Sequence, residues 1–398
     1  MRKKDLLIVQ DSDFLGEMPG GIKSFWKGFL RNMPEDYNVE VIGVSSNTNL
    51  RPLNRWIEVA IGAKKVKFLP VSAQKNEAAL SFFDFGRFLV GLICAKINYL
   101  HKVICFDRLG TAAALFLRNN TKWMIIHCEM DRVVCRRKNR WRLLGLFIPL
   151  YFMLERIIYK RMDYIYSTSR TTIEDYHRRY PKLLEKVGFL PVSFDTSLFV
   201  PSHTGKQVIR SHLRTLFPSI PEVNKWILYA GRLAEVKNLP LLLDVFVDYR
   251  HINPDSFLLI LGDGPMLSAL QKLIVIRQLE RSVLLLGFLP QERCVDFYRA
   301  SDVFLFTSLS EAGPIVIMEA LGCGLPVVST DVGEVGQFVK SGFSGEVRNN
   351  RIELVEALQL VLDHPERYSM QNCVSSVMDH APQKAFGPLY QLLDMNKL

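Results

Sequence analysis

The stretch SLSEAGPIVIMEALGCGLPVVSTDVG, residues 308–333, reads as loop, helix, turn and strand in quick succession. An apolar run over 303–306 leads into it and ends at Thr307 and Ser308. Glu311, Gly313 and Pro314 interrupt the run, a helix-compatible segment occupies 315–321, and Gly322 and Gly324 close it before Pro326 and the apolar pair Val327-Val328. Proline in a first helical turn sacrifices no hydrogen bond, and glycine just past a helix end relieves its last carbonyls. Strand, helix and strand in that order predict a parallel α/β sheet.

Glu311 and Glu319 stand eight positions apart, about 80° apart in direction on a continuous helix, so they do not stack on one face. The pattern instead places Glu311 in the loop before the helix and Glu319 within it, beside Ala320 and Leu321, where an unpaired carboxylate is costly. Both are expected to point into one crevice. The helix start near Gly313 adds free N–H groups and a positive dipole end suited to a phosphate. An amphipathic helix with two solvated glutamates would read the same from spacing alone.

The run S-E-A-G-P-I-V-I-M-E-A-L-G-C-G-L-P-V-V-S-T resembles the signature of the retaining, nucleotide-sugar-dependent glycosyltransferases of family 4, which have the GT-B fold. The resemblance implies that Glu311 engages the transferred sugar and Glu319 the nucleotide ribose. Gly313, Pro314 and Ile315 fall to the same nucleotide-sugar site. Ala312 stands where that family usually has glycine.

The chain has 398 residues, too many for one core, and its alternating pattern extends through both halves. The implied fold class is α/β, GT-B: two doubly wound Rossmann-like domains facing a central cleft, with a C-terminal helix crossing back to the first. The expected boundaries are 1–200 for an acceptor-binding domain, 201–224 for a linker containing three prolines, 225–375 for the nucleotide-sugar domain and 376–398 for the returning helix.

Charge divides the halves. Residues 1–200 hold 32 Lys+Arg against 19 Asp+Glu, a balance of +13, and residues 201–398 hold 18 against 21, or −3. Seven cysteines without framework spacing point to a reducing compartment. The N-terminus, MRKKDLLIVQDSD, carries only a short apolar run and is expected to be a first strand, not a signal peptide, which places the protein on the cytoplasmic side.

Along the first half, strands are expected at 6–10, 39–44, 67–71, 102–106, 123–127 and 164–167, with a helix over 22–32. Pro19-Gly20-Gly21 lies between the first strand and that helix, where glycines let backbone approach a ligand; a tight turn is the plain alternative. The resemblance gives Gly20 and Gly21 a place facing the donor phosphates and the acceptor. It also assigns a sugar-contacting role to His127, at a strand end where ligands gather, although a lone histidine serves equally as a structural hydrogen bonder. Asp11-Ser12-Asp13 has the D-x-D form of a metal site, but family 4 enzymes need no metal, and none is expected.

A basic cluster, R-R-K-N-R-W-R at 136–142, precedes twelve uncharged, largely apolar residues at 143–154, too few to span a bilayer. These residues suit a buried or an interfacial helix. Val192-Ser193 replace the family's usual Asn-Gly.

In the second half, W-I-L-Y-A runs into G-R-L-A-E-V-K, whose Arg232 and Lys237 suit a diphosphate, the role the resemblance gives them. A solvated basic loop is the alternative. The turns at Gly262 and at Gly287-Phe288 follow buried strands, and the resemblance places the nucleobase at the second; Phe288 itself equally suits packing. The catalytic set implied is Glu311, His127, Arg232 and Lys237, without a cofactor, since the nucleotide sugar is a substrate; a UDP-sugar is favoured over GDP- or ADP-sugars. The expected acceptor is a saccharide or a lipid-linked one, with peripheral contact to the anionic inner face of the cytoplasmic membrane and no nucleic-acid partner, as no nucleic-acid motif is present. Two alternatives remain: a GT-B sugar-nucleotide epimerase, which should carry its own acid and base carboxylates, and a basic binding module.

Overall fold

The computed structural model describes residues 4–16, 21–74, 82–99, 102–107, 109–115, 120–126, 148–311 and 313–395. The chain divides into two compact units, Met1–Pro191 with Ala385–Leu398, and Val192–Lys384.

The first unit is built on an eight-stranded sheet in the order β3-β4-β2-β1-β5-β6-β7-β8. Its strands are β1 (Lys4–Val9), β2 (Tyr37–Ser45), β3 (Ile57–Ile61), β4 (Lys64–Ala73), β5 (Lys102–Phe106), β6 (Lys122–Ile126), β7 (Tyr164–Ser167) and β8 (Val187–Phe189). All neighbours are parallel except β3 and β4. Helices α2 (Phe82–Cys94), α3 (Leu109–Leu115), α4 (Ile148–Lys160) and α5 (Arg170–Arg179) follow α1 (Gly21–Arg31) in the chain. Phe88, Leu92, Ala112 and Ile158 pack with Leu7 and Val9 on one face of the sheet, and Phe25, Trp26 and Phe29 pack with Leu6 and Ile8 on the other.

The second unit has a six-stranded, wholly parallel sheet in the order β11-β10-β9-β12-β13-β14. It comprises β9 (Lys225–Ala230), β10 (Ser256–Leu261), β11 (Val283–Gly287), β12 (Val303–Phe306), β13 (Val327–Ser329) and β14 (Gly345–Val347). Its helices are α6 (Lys206–Leu216), α7 (Leu239–Ile252), α8 (Leu267–Ile276), α9 (Gln291–Ala300), α10 (Ile315–Gly322), α11 (Val335–Phe338), α12 (Arg351–Asp363) and α13 (Met370–Val377). Beyond Lys225 and Ser256 at their starts, β9, β10 and β12 are apolar, and every residue of β10 is buried, as a sheet covered on both faces requires.

Segment 201–224, expected as a linker, carries α6, whose Ile209 and Leu213 are buried in the second unit's core. Arg210 is buried too: it donates to the Ala300 and Asn224 carbonyls and to Asp302 and lies over the Trp226 ring, 4.8 Å from its centroid. The last helix, α14 (Pro382–Met395), returns to the first unit. Its Phe386 meets Phe25 and Phe29 edge-on, with centroids 5.4 and 5.5 Å away, and Tyr390 stacks on Phe29 and donates to its carbonyl at 2.6 Å.

The first unit differs from expectation in having two strands not foreseen, β3 and β8, and in the length of β4. Strand β4 runs over Lys64–Ala73, longer than 67–71, because β3 pairs with it antiparallel, Val59 opposite Val66 and Glu58 opposite Lys67.

Candidate active site

In the second unit the chain leaves β9 for β10 and β11 on one side, and later leaves β12 for β13 and β14 on the other. The strand order therefore reverses between β9 and β12, and ligands of open α/β sheets bind off the carboxyl ends of strands at such a switch point. The loop after β9 and the loop after β12 meet there. Lys237, ending a short 3-10 turn (Glu235–Lys237), donates to Glu311 Oε1, which also accepts from Ser308 Oγ at 2.9 Å. The two loops are further tied by Leu309 N donating to the Val236 carbonyl at 2.8 Å and by Thr307 Oγ1 donating to the Lys237 carbonyl at 3.2 Å. Lys237 Nζ also stands 5.4 Å from the Phe306 ring centroid. Arg232 is exposed on the same loop, beside Gly231.

The β10 and β11 turns join this corner through backbone. Gly231 N donates to the Leu261 carbonyl, Leu233 N to that of Asp263 and Gly262 N to that of Gly287, at 3.0, 2.9 and 2.8 Å. Gly262 has φ of +137° and no room for a side chain, since a Cβ would stand 1.9 Å from the Gly231 carbonyl oxygen. The closeness of the two turns thus depends on glycine. Gly287 opens on unfilled space, and Phe288 beside it is half-buried.

Pro314 caps α10, and Ile315 begins it against the core. Glu319, in the second turn after that cap, is buried at 6% exposure and accepts from Gln291 Nε2 and Tyr298 Oη, both at 3.0 Å. Burial pushes its pKa up to about 7, against the pull of those two donors. Burial, followed by the neighbouring Glu319 charge, also holds the Tyr298 phenol well above its ordinary range. Glu311 and Glu319 therefore occupy separate settings, one paired with a cation and one desolvated with neutral donors.

The Val192-Ser193 departure is structural as well. A Cβ on Gly313 would meet Val192 Cγ2 at 2.7 Å, while Ser193 Oγ donates to the His380 carbonyl at 2.8 Å and His380 Nδ1 lies 3.1 Å from the Val192 carbonyl.

Of the residues singled out from sequence, Arg232, Lys237, Gly262, Gly287, Glu311 and Gly313 lie on loops at the strands' carboxyl ends, with Glu319 on the following helix. Gly21 opens α1 in the first unit, and Gly20 and His127 lie outside the described residues. So do the 136–142 cluster and the first five residues of the 143–154 run. Asp13 ties the loop after β1 to the segment after β2: its carboxylate accepts from Ser46 N at 2.7 Å, Ser46 Oγ at 2.6 Å and Arg51 at 2.7 Å. Burial opposes its charge, but those donors outweigh burial and keep its pKa below the usual value. Gln291, Tyr298 and Ser308 were not anticipated; a polar residue opening the helix after β11 and a tyrosine two turns on were the available signs.

The glycosyl transferases group 1 profile matches residues 217–372, which hold the Lys237–Glu311 pair and the contacts of Glu319. Parts of the chain are similar to curated proteins. The alpha-monoglucosyldiacylglycerol synthase of Acholeplasma laidlawii is 32% identical over 136 residues, 34% of either chain. A Campylobacter jejuni enzyme named N-acetylgalactosamine-N,N'-diacetylbacillosaminyl-diphospho-undecaprenol 4-alpha-N-acetylgalactosaminyltransferase is 25% identical over 295 residues, 73% of this chain and 74% of that one. The chain spans less than half the length of the first curated relatives it matches. Among solved structures, Anabaena HepE in complex with UDP and glucose superposes with a TM-score of 0.72 at 16% identity, covering 98% of this chain and 100% of that one. The fold is that of the GT-B glycosyltransferases, with two Rossmann-like units.

Proposed function

We propose that the protein is a retaining glycosyltransferase that moves a sugar from a nucleoside diphosphate sugar, with uridine favoured, to a saccharide or lipid-linked acceptor in cell-surface polysaccharide assembly. The observation that carries this reading is the Lys237–Glu311 pair at the switch point of the group 1 sheet. In a nucleotide sugar the β-phosphate is bonded directly to the sugar, so its binding site needs a cation and a hydroxyl acceptor side by side. Lys237 and Arg232 serve the diphosphate, Glu311 the sugar hydroxyls, the Gly287 turn the base and Glu319 the ribose.

No covalent nucleophile is required. The acceptor oxygen attacks the anomeric carbon on the face the diphosphate leaves, the C–O bond to phosphate breaks, and the departing phosphate oxygen takes the acceptor's proton. The protein stabilises the growing phosphate charge with Lys237, Arg232 and backbone N–H groups. That chemistry is metal-independent. HepE's complex with UDP and glucose supports the choice of uridine, and the diacylglycerol and diphospho-undecaprenol in the relatives' names support a lipid-bearing acceptor. Such an acceptor and the +13 of the first half support work at the inner face of the cytoplasmic membrane, bound peripherally; among the described residues no helix is long and apolar enough to cross it.

The test is transfer itself. A labelled UDP-sugar with a polyprenyl-diphosphate saccharide should yield product of unchanged anomeric configuration and free UDP, at the same rate with EDTA. An epimerised nucleotide sugar without UDP release would overturn the reading in favour of an epimerase.

A further inference from the structure

We propose that the outward faces of α2 and α4 form the surface that seats the first unit on an anionic lipid bilayer. This deepens the function proposed above by naming the membrane-contacting surface, and it rests on that reading for the acceptor's lipid character.

Six of the ten large apolar side chains exposed among the described residues of the first unit lie on these two helices: Phe83, Val90 and Ile93 on α2, and Met153, Leu154 and Ile157 on α4. Phe83 is 81% exposed, more than any other of the ten. On α2 the exposed positions 83, 86, 87, 90, 93 and 94 recur at helical spacing and form one stripe, while Phe88 and Leu92 occupy the opposite, buried side. A water-facing helix carries polar residues on such a stripe; here Arg87 is the single charge in it.

On α4 the outward arc mixes the apolar residues with Arg156 and Lys160, and exposed Arg161 follows directly. The two helices cover the same face of the sheet, with α3 in contact with both. Their stripes therefore face the same way.

Charge selects the occupant. Cations exposed on or beside the two helices are Arg87, Lys96, Arg156, Lys160 and Arg161, against Asp84, which is paired with Arg87, and Asp163, which accepts from Lys122 N. Apolar side chains flanked by cations are the pattern of a helix lying in the headgroup region of an anionic leaflet. A second copy docked through the same face about a two-fold axis would bring these cations against their own kind.

Flotation with vesicles of equal parts phosphatidylglycerol and phosphatidylcholine tests the surface. Wild type should float at low salt, less at high salt, and little with phosphatidylcholine alone. Combined Val90→Glu, Ile93→Glu and Ile157→Glu should cut recovery by about tenfold or more, and Arg156→Glu with Lys160→Glu should cut it at low salt. The milder Val90→Ser with Ile157→Ser serves if the first variant is unstable. All should retain wild-type transfer to a short, water-soluble saccharide acceptor. Equal recovery of wild type and the apolar variants would overturn the proposal, as would light scattering that shows a wild-type dimer made monomeric by them. A protein that floats as described yet transfers no sugar leaves the surface standing and removes the catalytic reading instead.

Discussion

Glu319 is pulled two ways by its position. Burial lifts its pKa from 4.5 to about 7, so between those values the folded chain keeps a proton that the unfolded chain has lost. Stability consequently falls as pH rises from about 4.5 through 7, by roughly 3 kcal/mol in all, and the cost is fully present above 7. Glu319→Gln keeps the shape and removes that cost. Its melting temperature should exceed wild type at pH 8, with the difference vanishing towards pH 4; a constant difference across that range would refute the account. The same change should weaken binding of donor and free UDP, whereas Glu311→Gln should spare free UDP; equal losses by calorimetry would contradict the division of roles. Lys237→Ala and Arg232→Ala should each lower transfer about ten- to a hundredfold, the worth of a charge-assisted contact, with unfolding midpoints near wild type. Near-normal turnover in both would remove the phosphate assignment. The two glutamates and both cations were singled out through the resemblance of their motifs, because spacing alone left solvated glutamates and a solvated basic loop open. Gln291 and Tyr298, which hold Glu319, come from a separate helix whose two-turn spacing fits countless amphipathic segments.

The elements were read best where burial is two-sided. Strands β9, β10 and β12 are apolar runs after Lys225 and Ser256 at the starts of the first two, and were placed within a residue or two. Strand β3 was missed because its alternating exposure puts Glu58 and Ala60 outward and leaves only half an apolar signal. Helix α6 hid between prolines and carries a buried arginine that sequence reads as solvated. The loop entering α10 offers a direct test of packing between elements. Gly313→Ala forces a methyl into Val192, a stiff β-branched side chain, and overpacking of this kind costs about 1–3 kcal/mol. Adding Val192→Ala should return most of that loss, so the double variant should be more stable than the sum of the singles predicts. Strict additivity in denaturant unfolding would mean that the loop moves aside instead.

At the scale of the molecule, the chain crosses between its two units twice, once near Pro191 and once near Ala385, and its end completes the unit that its beginning started. Phe386, Leu389 and Leu393 are core residues of the first unit although they are hundreds of positions from Phe25 and Phe29. A tail helix is easily read from its apolar spacing, but its address is set by which core has an open face. The arrangement separates two perturbations. The proposed donor contacts lie mostly on loops of the second unit, so UDP at a hundred times its dissociation constant should add about 2.7 kcal/mol. Slowed hydrogen exchange should concentrate in peptides of β9, β12 and α10, and GDP and ADP should do less. Phe386→Ala removes a buried aromatic ring at a cost of about 3–5 kcal/mol, and faster exchange should appear in α1, β1 and α14, with the UDP effect on the second unit retained. If UDP instead protects the first unit's strands and leaves the second unchanged, the nucleotide site has been placed on the wrong sheet.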